Sequence, residues 1–153
     1  MSKSIEIRPL KGMNGLNFGA TTADAKNIFG EPDETETLKD DVLNADSLVF
    51  HYWEIGFSLF FNKQANLKLT CIEIDSAGAT LWGAPVFHMN EKQITELFKT
   101  NGYEKTETEQ HEWGETRVSF DEALMDLYFE GGKLISINFG LFPDEESYYY
   151  FPN

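Results

Sequence analysis

The sequence predicts an α+β fold: two tandem units, each a helix followed by a three-stranded antiparallel meander, joined into one larger sheet with both helices packed on one face. Three observations carry that expectation. Residues 21–29 (TTADAKNIF) and 90–98 (NEKQITELF) share a helix signal, with a capping residue first, a reciprocal acid or amide three positions on, and apolar residues at matching places. Residues 53–61 (WEIGFSLFF) and 121–129 (DEALMDLYF) share a strand signal at almost the same offset. A spacing common to a helix and a strand marks an internal repeat, about residues 15–77 and 83–140, within a single domain of residues 1–153.

Taken in order, residues 5–10 read as an edge strand. The glycines of residues 12–19 (GMNGLNFG) do not match the spacing of a nucleotide-binding loop. Thr21 caps the first helix with Asp24 as its reciprocal partner; Ala25, Ile28 and Phe29 share one face, and Gly30 and Pro32 end it. A polar acidic connection, residues 31–46, leads to strands at about 47–54, 56–62 and 67–75. In the first of these Leu48, Phe50 and Tyr52 alternate with Val49, His51 and Trp53. Residues 81–87 (LWGAPVF) join the halves, and their Gly and Pro argue against a central strand.

In the second unit Asn90 caps with Gln93, Ile94, Leu97 and Phe98 form the apolar face, and Gly102 supplies the stop. A second acidic connection, residues 104–115, precedes strands at about 116–121, 123–130 and 133–140. Gly131-Gly132 marks a tight hairpin between the last two. Three strands and one helix bury too little surface alone, so the two meanders are expected to join. An acidic and then aromatic tail, PDEESYYYFPN, closes the chain.

Composition narrows the function classes. Of 153 residues, 41% are hydrophobic and thirteen are Phe, enough to fill a core. A single cysteine excludes an internal disulfide and a thiolate metal cluster within one chain, and Cys71, inside LTCIEID, reads as a small buried hydrophobe. No apolar run has the length of a signal peptide or a membrane span, so a cytoplasmic protein without a membrane partner is expected. Twenty-six acidic residues against twelve basic ones give a formal charge of −14. That field repels nucleic acid and attracts a basic partner; solubility explains an acidic surface equally well.

No residue pattern announces catalysis. His51, His88 and His111 are far apart in sequence and lack His or Cys partners at ligand spacing. His51 reads as a half-buried packing residue and His111 as solvated among glutamates. Glu73 and Asp75 share a strand face, as any such pair does, and nothing singles them out as an acid and a base. Asp40, Asp41 and Asp46 lack the glycine and closing glutamate of a calcium loop. The expectation is a protein that is not an enzyme, with no catalytic residue, no metal and no cofactor.

The placement of the acids is more informative. Residues 31–46 carry Asp33, Glu34, Glu36, Asp40, Asp41 and Asp46 along with Glu31; residues 104–115 carry Glu109, Glu112 and Glu115 along with Glu104 and Glu107. With Asp144, Glu145 and Glu146 these segments hold more than half of the acidic residues. Tyr52 and Trp53 follow the first segment, Trp113 lies in the second, and Tyr148 and Tyr149 follow the third. Carboxylates steer a basic partner, and aromatic anchors beside them supply desolvated contacts. Trp53 and Phe120 are expected in the core, which leaves Tyr52, Trp113, Tyr148 and Tyr149 as the anchors.

The paired segments FGATTADAKNIFGEP and FHMNEKQITELF, each leading to a strand that ends in aromatics (GFSLFF and LMDLYF), resemble the architecture of the β-lactamase-inhibitor protein and of small outer-membrane lipoproteins of the BamE/SmpA type. The resemblance spans roughly residues 15–140 and implies a platform that grips another protein with sheet and loops. Single helices replace the helix pairs common in that family, and disulfide cysteines are missing. The resulting expectation is a small acidic cytoplasmic binding protein, an immunity or inhibitor protein that neutralises a basic partner such as a nuclease toxin. The alternative is a structural or housekeeping interaction module without inhibitory activity.

Overall fold

The computed structural model describes residues 5–40 and 45–141. In chain order it contains β1 (Ile5–Arg8), β2 (Gly12–Met13), β3 (Leu16–Asn17), α1 (Thr22–Phe29), β4 (Glu34–Asp40), β5 (Ala45–Tyr52), β6 (Phe57–Asn62), β7 (Lys68–Ile74) and β8 (Ala79–Leu81). There follow α2 (Glu91–Thr100), β9 (Glu107–Gln110), β10 (Glu115–Phe120), β11 (Met125–Glu130) and β12 (Lys133–Gly140).

Eight of the strands form one sheet in the order β4-β5-β6-β7-β12-β11-β10-β9, every neighbouring pair antiparallel. The order reads the same outward from the central β7–β12 pair. Alternation along each strand assigns the two faces. Phe50, Tyr52, Leu59, Phe61, Ile72, Ile74, Leu127, Phe129, Val118 and Phe120 point to one buried side. Three phenylalanines from the covering layer seal it. Phe18 meets Phe139 at 5.8 Å over the centre, Phe29 meets Phe57 at 4.8 Å on one half, and Phe98 stacks on Phe120 at 3.8 Å on the other. A fully buried ring, such as Phe18 or Phe98, contributes about 1.5–3 kcal/mol, and the half-buried Phe29 less.

Both helices start with a reciprocal capping box, Thr21 with Asp24 and Asn90 with Gln93, so two otherwise orphaned amides are satisfied at each end. Among the described residues no helix is long and apolar enough to cross a membrane.

The expected architecture is overturned in three respects. Strand dominates, and each half of the large sheet has four strands rather than three: the acidic connections form the edge strands β4 and β9. The helices are not alone in covering the sheet. A second, four-stranded sheet in the order β3-β2-β1-β8 shares that role, burying Ile5, Ile7, Met13, Leu16, Ala79 and Leu81. Finally, β1 is an interior strand of this small sheet, antiparallel to β2 and parallel to β8. Residues 81–87, read as a connection, begin within β8 and continue into a 3₁₀ turn, Val86–His88.

The physical reason for the first error is edge exposure. β4 (ETETLKD) and β9 (ETEQ) face water on both sides and along one margin, so neither needs the apolar alternation that identifies a half-buried strand.

Candidate functional site

The face of the large sheet opposite the core is polar, and its register places one polar residue from every strand in a single row. Glu34, His51, Ser58, Glu73, Asn138, Asp126, Ser119 and Glu107 are successive cross-strand partners from one edge to the other. Direct cross-strand neighbours lie about 4.5–5.5 Å apart at Cβ, so the row interacts along its length.

In the half that carries β4, Ser58 Oγ is 2.7 Å from His51 Nδ1, and Glu36 Oε1 is 3.0 Å from His51 Nε2. The imidazole stacks on the indole of Trp53 at 4.2 Å and 10°, and Trp53 Nε1 donates to Glu34 Oε2 at 3.3 Å. Trp53 remains 59% exposed, which overturns the expectation that it lies in the core. The sequence of hydroxyl, imidazole and carboxylate is that of an acyl-transfer triad. Ser58, however, pairs with His51 on one side and Glu73 on the other, so its backbone is committed to the ladder rather than to an oxyanion hole. The arrangement serves to fix Trp53 and Glu36 in place.

The other half contains a guanidinium. Arg117 contacts Glu109 Oε2 at 2.6 Å, Glu107 Oε1 at 3.4 Å and Asp126 Oδ1 at 3.6 Å, and it donates to Ser119 Oγ. Ser119 in turn donates to Asp126 at 2.6 Å. The Arg117 hydrogen bond holds the Glu109 carboxyl below its ordinary value. A pocket of about 400 Å³ opens beside this cluster, lined by Cys71, Arg117, Ser119, Asp126 and Asn138 among others. Three carboxylates already surround the guanidinium, so the pocket offers no free positive charge to an anion. Cys71 donates to Asn138 Oδ1 at 2.8 Å, and burial, followed by the Glu73 charge, pushes its thiol up to about 12. Near the β9–β10 turn His111 stacks on Trp113 at 4.3 Å and 7°; this indole is 70% exposed. Both exposed tryptophans stand at the same end of the sheet, because β5 ends and β10 begins there.

The expected partner-binding residues divide sharply. Glu34 and Glu36 lie on the β4 edge, and Asp33 just before it accepts from the Glu54 amide at 3.5 Å. Asp46 pairs with Lys63 at 3.8 Å near the opposite end of β5. Glu109 is in the Arg117 cluster, Glu112 and Trp113 form the β9–β10 turn, and Glu115 begins β10. Tyr52 is a correction: it is 3% exposed and donates to the Gly30 carbonyl at 2.9 Å, so it closes α1 instead of meeting a partner. Burial, then Glu31 and Asp33, pushes its phenol up to about 12. Asp40 contributes its backbone to β4, while Asp41, Tyr148, Tyr149 and the 144–146 acids lie outside the described residues. Sequence reasoning missed Ser58, the pairing of His51 with Glu36, and Arg117. The alternation of His51 with buried Phe50 and Tyr52 was the available signal that it faces outward.

Among the described residues no group of three or more His, Cys, Asp or Glu side chains is arranged to hold a metal ion. No protein-family model matches the chain, and no curated protein matches it. A solved structure similar to it is the 1.5 Å crystal structure of an extracellular protein containing an SCP domain from Bacillus anthracis str. Ames. The two share 12% identity with a TM-score of 0.48, over 89% of this chain and 49% of the other, so this chain spans about half the length of that protein. A likeness of this degree assigns no activity.

Proposed function

We propose that the protein binds a basic protein through the polar face and edges of its large sheet and acts as an inhibitor or immunity protein in the cytoplasm. The observation that carries this reading is the disposition of charge and aromatic surface. Both edge strands carry glutamates, and the two most exposed large hydrophobic residues among those described, Trp53 and Trp113, stand beside them at one end of the sheet. Long-range attraction by the acidic field speeds encounter, and exposed indoles supply the anchoring contacts.

The test is affinity capture from the native cell at low salt, followed by kinetics with the purified captured protein over a range of ionic strength. A basic toxin whose activity is lost on binding, with association slowing as salt rises, supports the reading. Capture of no basic protein, or of one whose activity is unchanged on binding, overturns the inhibitory role and favours the housekeeping alternative.

A further inference from the structure

The duplication sets a cavity at the same point in each half of the large sheet, and the two differ in size. Residues 53–56 join β5 to β6 and residues 121–124 join β10 to β11, and each turn opens onto a cavity beside the polar face. In the first half Trp53, at the head of the turn, lines a cavity of about 120 Å³. In the second Asp121 stands at that position, and the cavity is about 400 Å³, a size that takes a small molecule.

The turns differ again at their last residue. Gly56 closes the first with φ at 103°, which glycine adopts freely. Leu124 closes the second with φ at 53°, in the left-handed region that a leucine rarely enters. The side chain retained at the cost of that strain forms part of the wall of the larger cavity, with Leu141.

The same cavity presents one donor and one acceptor. Asp126 and Asn138 are direct cross-strand partners, so their side chains stand next to each other. Asp126 uses Oδ1 for Ser119 and Arg117. Asn138 Oδ1 accepts from the Cys71 thiol, which turns Nδ2 the other way. Asp126 Oδ2 and Asn138 Nδ2 bond to no described residue. Among the described residues only Arg8 Nε is buried without a partner, so both atoms open onto the cavity that their residues line. The three carboxylates around Arg117 repel an anion, and the guanidinium repels a cation.

We propose that this cavity binds a small neutral ring with an amide edge, its N–H donating to Asp126 Oδ2 and its adjacent C=O accepting from Asn138 Nδ2, flanked by Leu124 and Leu141. Cyclic amides, imides and pyrimidine bases carry that edge. The site goes beyond the docking of a basic protein and does not depend on it.

The experiment uses uracil and 1,3-dimethyluracil, which lacks both N–H groups, with the Asn138 side-chain amide and the Leu124 methyl resonances as reporters. Uracil is expected to move both saturably and to bind about fivefold more tightly than dimethyluracil, the ratio that one neutral hydrogen bond gives. Asn138→Leu removes the donor and is expected to weaken uracil about fivefold, read at Leu124. Leu124→Gly installs the residue that closes the other turn; it is expected to keep the fold and to weaken both ligands alike. The comparison of the two ligands on the wild-type chain decides the matter even where a variant does not fold. No saturable shift at the two reporters up to the solubility limit of uracil, equal affinity for the two ligands, or undiminished binding in folded Asn138→Leu or Leu124→Gly would overturn the site.

Discussion

Ser58 and His51 face each other across the β5–β6 ladder with 2.7 Å between Oγ and Nδ1. The other ring nitrogen faces the Glu36 carboxylate, which only accepts, so Nε2 carries a proton toward it, and a ring with a single proton receives the Ser58 hydroxyl on Nδ1. Ring ¹⁵N shifts of His51 are therefore expected to report the Nε2–H tautomer. Ser58→Ala leaves Nδ1 without its donor and is expected to destabilise the fold by about 1 kcal/mol in urea unfolding. An Nδ1–H tautomer, or a variant as stable as wild type, would contradict this pair of hydrogen bonds.

The phenol of Tyr52 offers a pH test. Its pKa is raised to about 12 in the folded chain against an ordinary value near 10. The unfolded chain thus releases this proton first as pH rises. The stabilisation is complete below about pH 10 and is lost as pH climbs through about 12. Ultraviolet titration should show one tyrosine ionising last, and Tyr52→Phe should abolish that step. The same variant, deprived of the bond to Gly30, is expected to lose about 1 kcal/mol at neutral pH.

Glu109 behaves oppositely. Arg117 lowers its carboxyl, so its share of stability is present above the ordinary carboxylate range and disappears as pH falls through the depressed value. Arg117→Gln should move the Glu109 titration upward in carboxyl NMR and flatten the acid limb of the stability profile. A Glu109 titration unmoved by the substitution would show that the arginine is not its partner in solution.

Gly140 tests the seam between the halves. It pairs with Cys71 across β12 and β7, and a Cβ there would lie 2.4 Å from the Thr70 carbonyl oxygen. Gly140→Ala must push the central strands apart, and a loss of roughly 1–3 kcal/mol is expected from the strain. Calorimetry should register this as a lowered Tm; an unchanged Tm would mean that the seam yields freely.

How much of this was legible depended on whether a segment's environment leaves a mark on its composition. The capped helices were readable because Thr21, Asp24, Asn90 and Gln93 satisfy backbone donors locally, within four residues. The Gly131-Gly132 hairpin was readable because both positions need positive φ, observed at 60° and 80°. The edge strands were not, since a strand exposed on both faces carries no apolar alternation. The small sheet was missed because β2, β3 and β8 span only two or three residues each, and β8 joins β1 from more than seventy positions away in the chain. At the site, Trp53 was misplaced because an aromatic at the end of an alternating strand shows nothing of its packing in composition. Arg117 was passed over because a lone arginine among acids reads as a solvated charge; only the β9–β10–β11 register shows that three carboxylates converge on it.

Among the described residues both margins of the large sheet are unpaired, and an open edge is also a template for copying itself, since it offers backbone groups to a like strand from another molecule. Here β4 and β9 set glutamates along both margins, so an approaching copy meets its own charge pattern. The carboxylates along an edge therefore turn away a sibling. Like charge along an edge thus disfavours strand-to-strand copying.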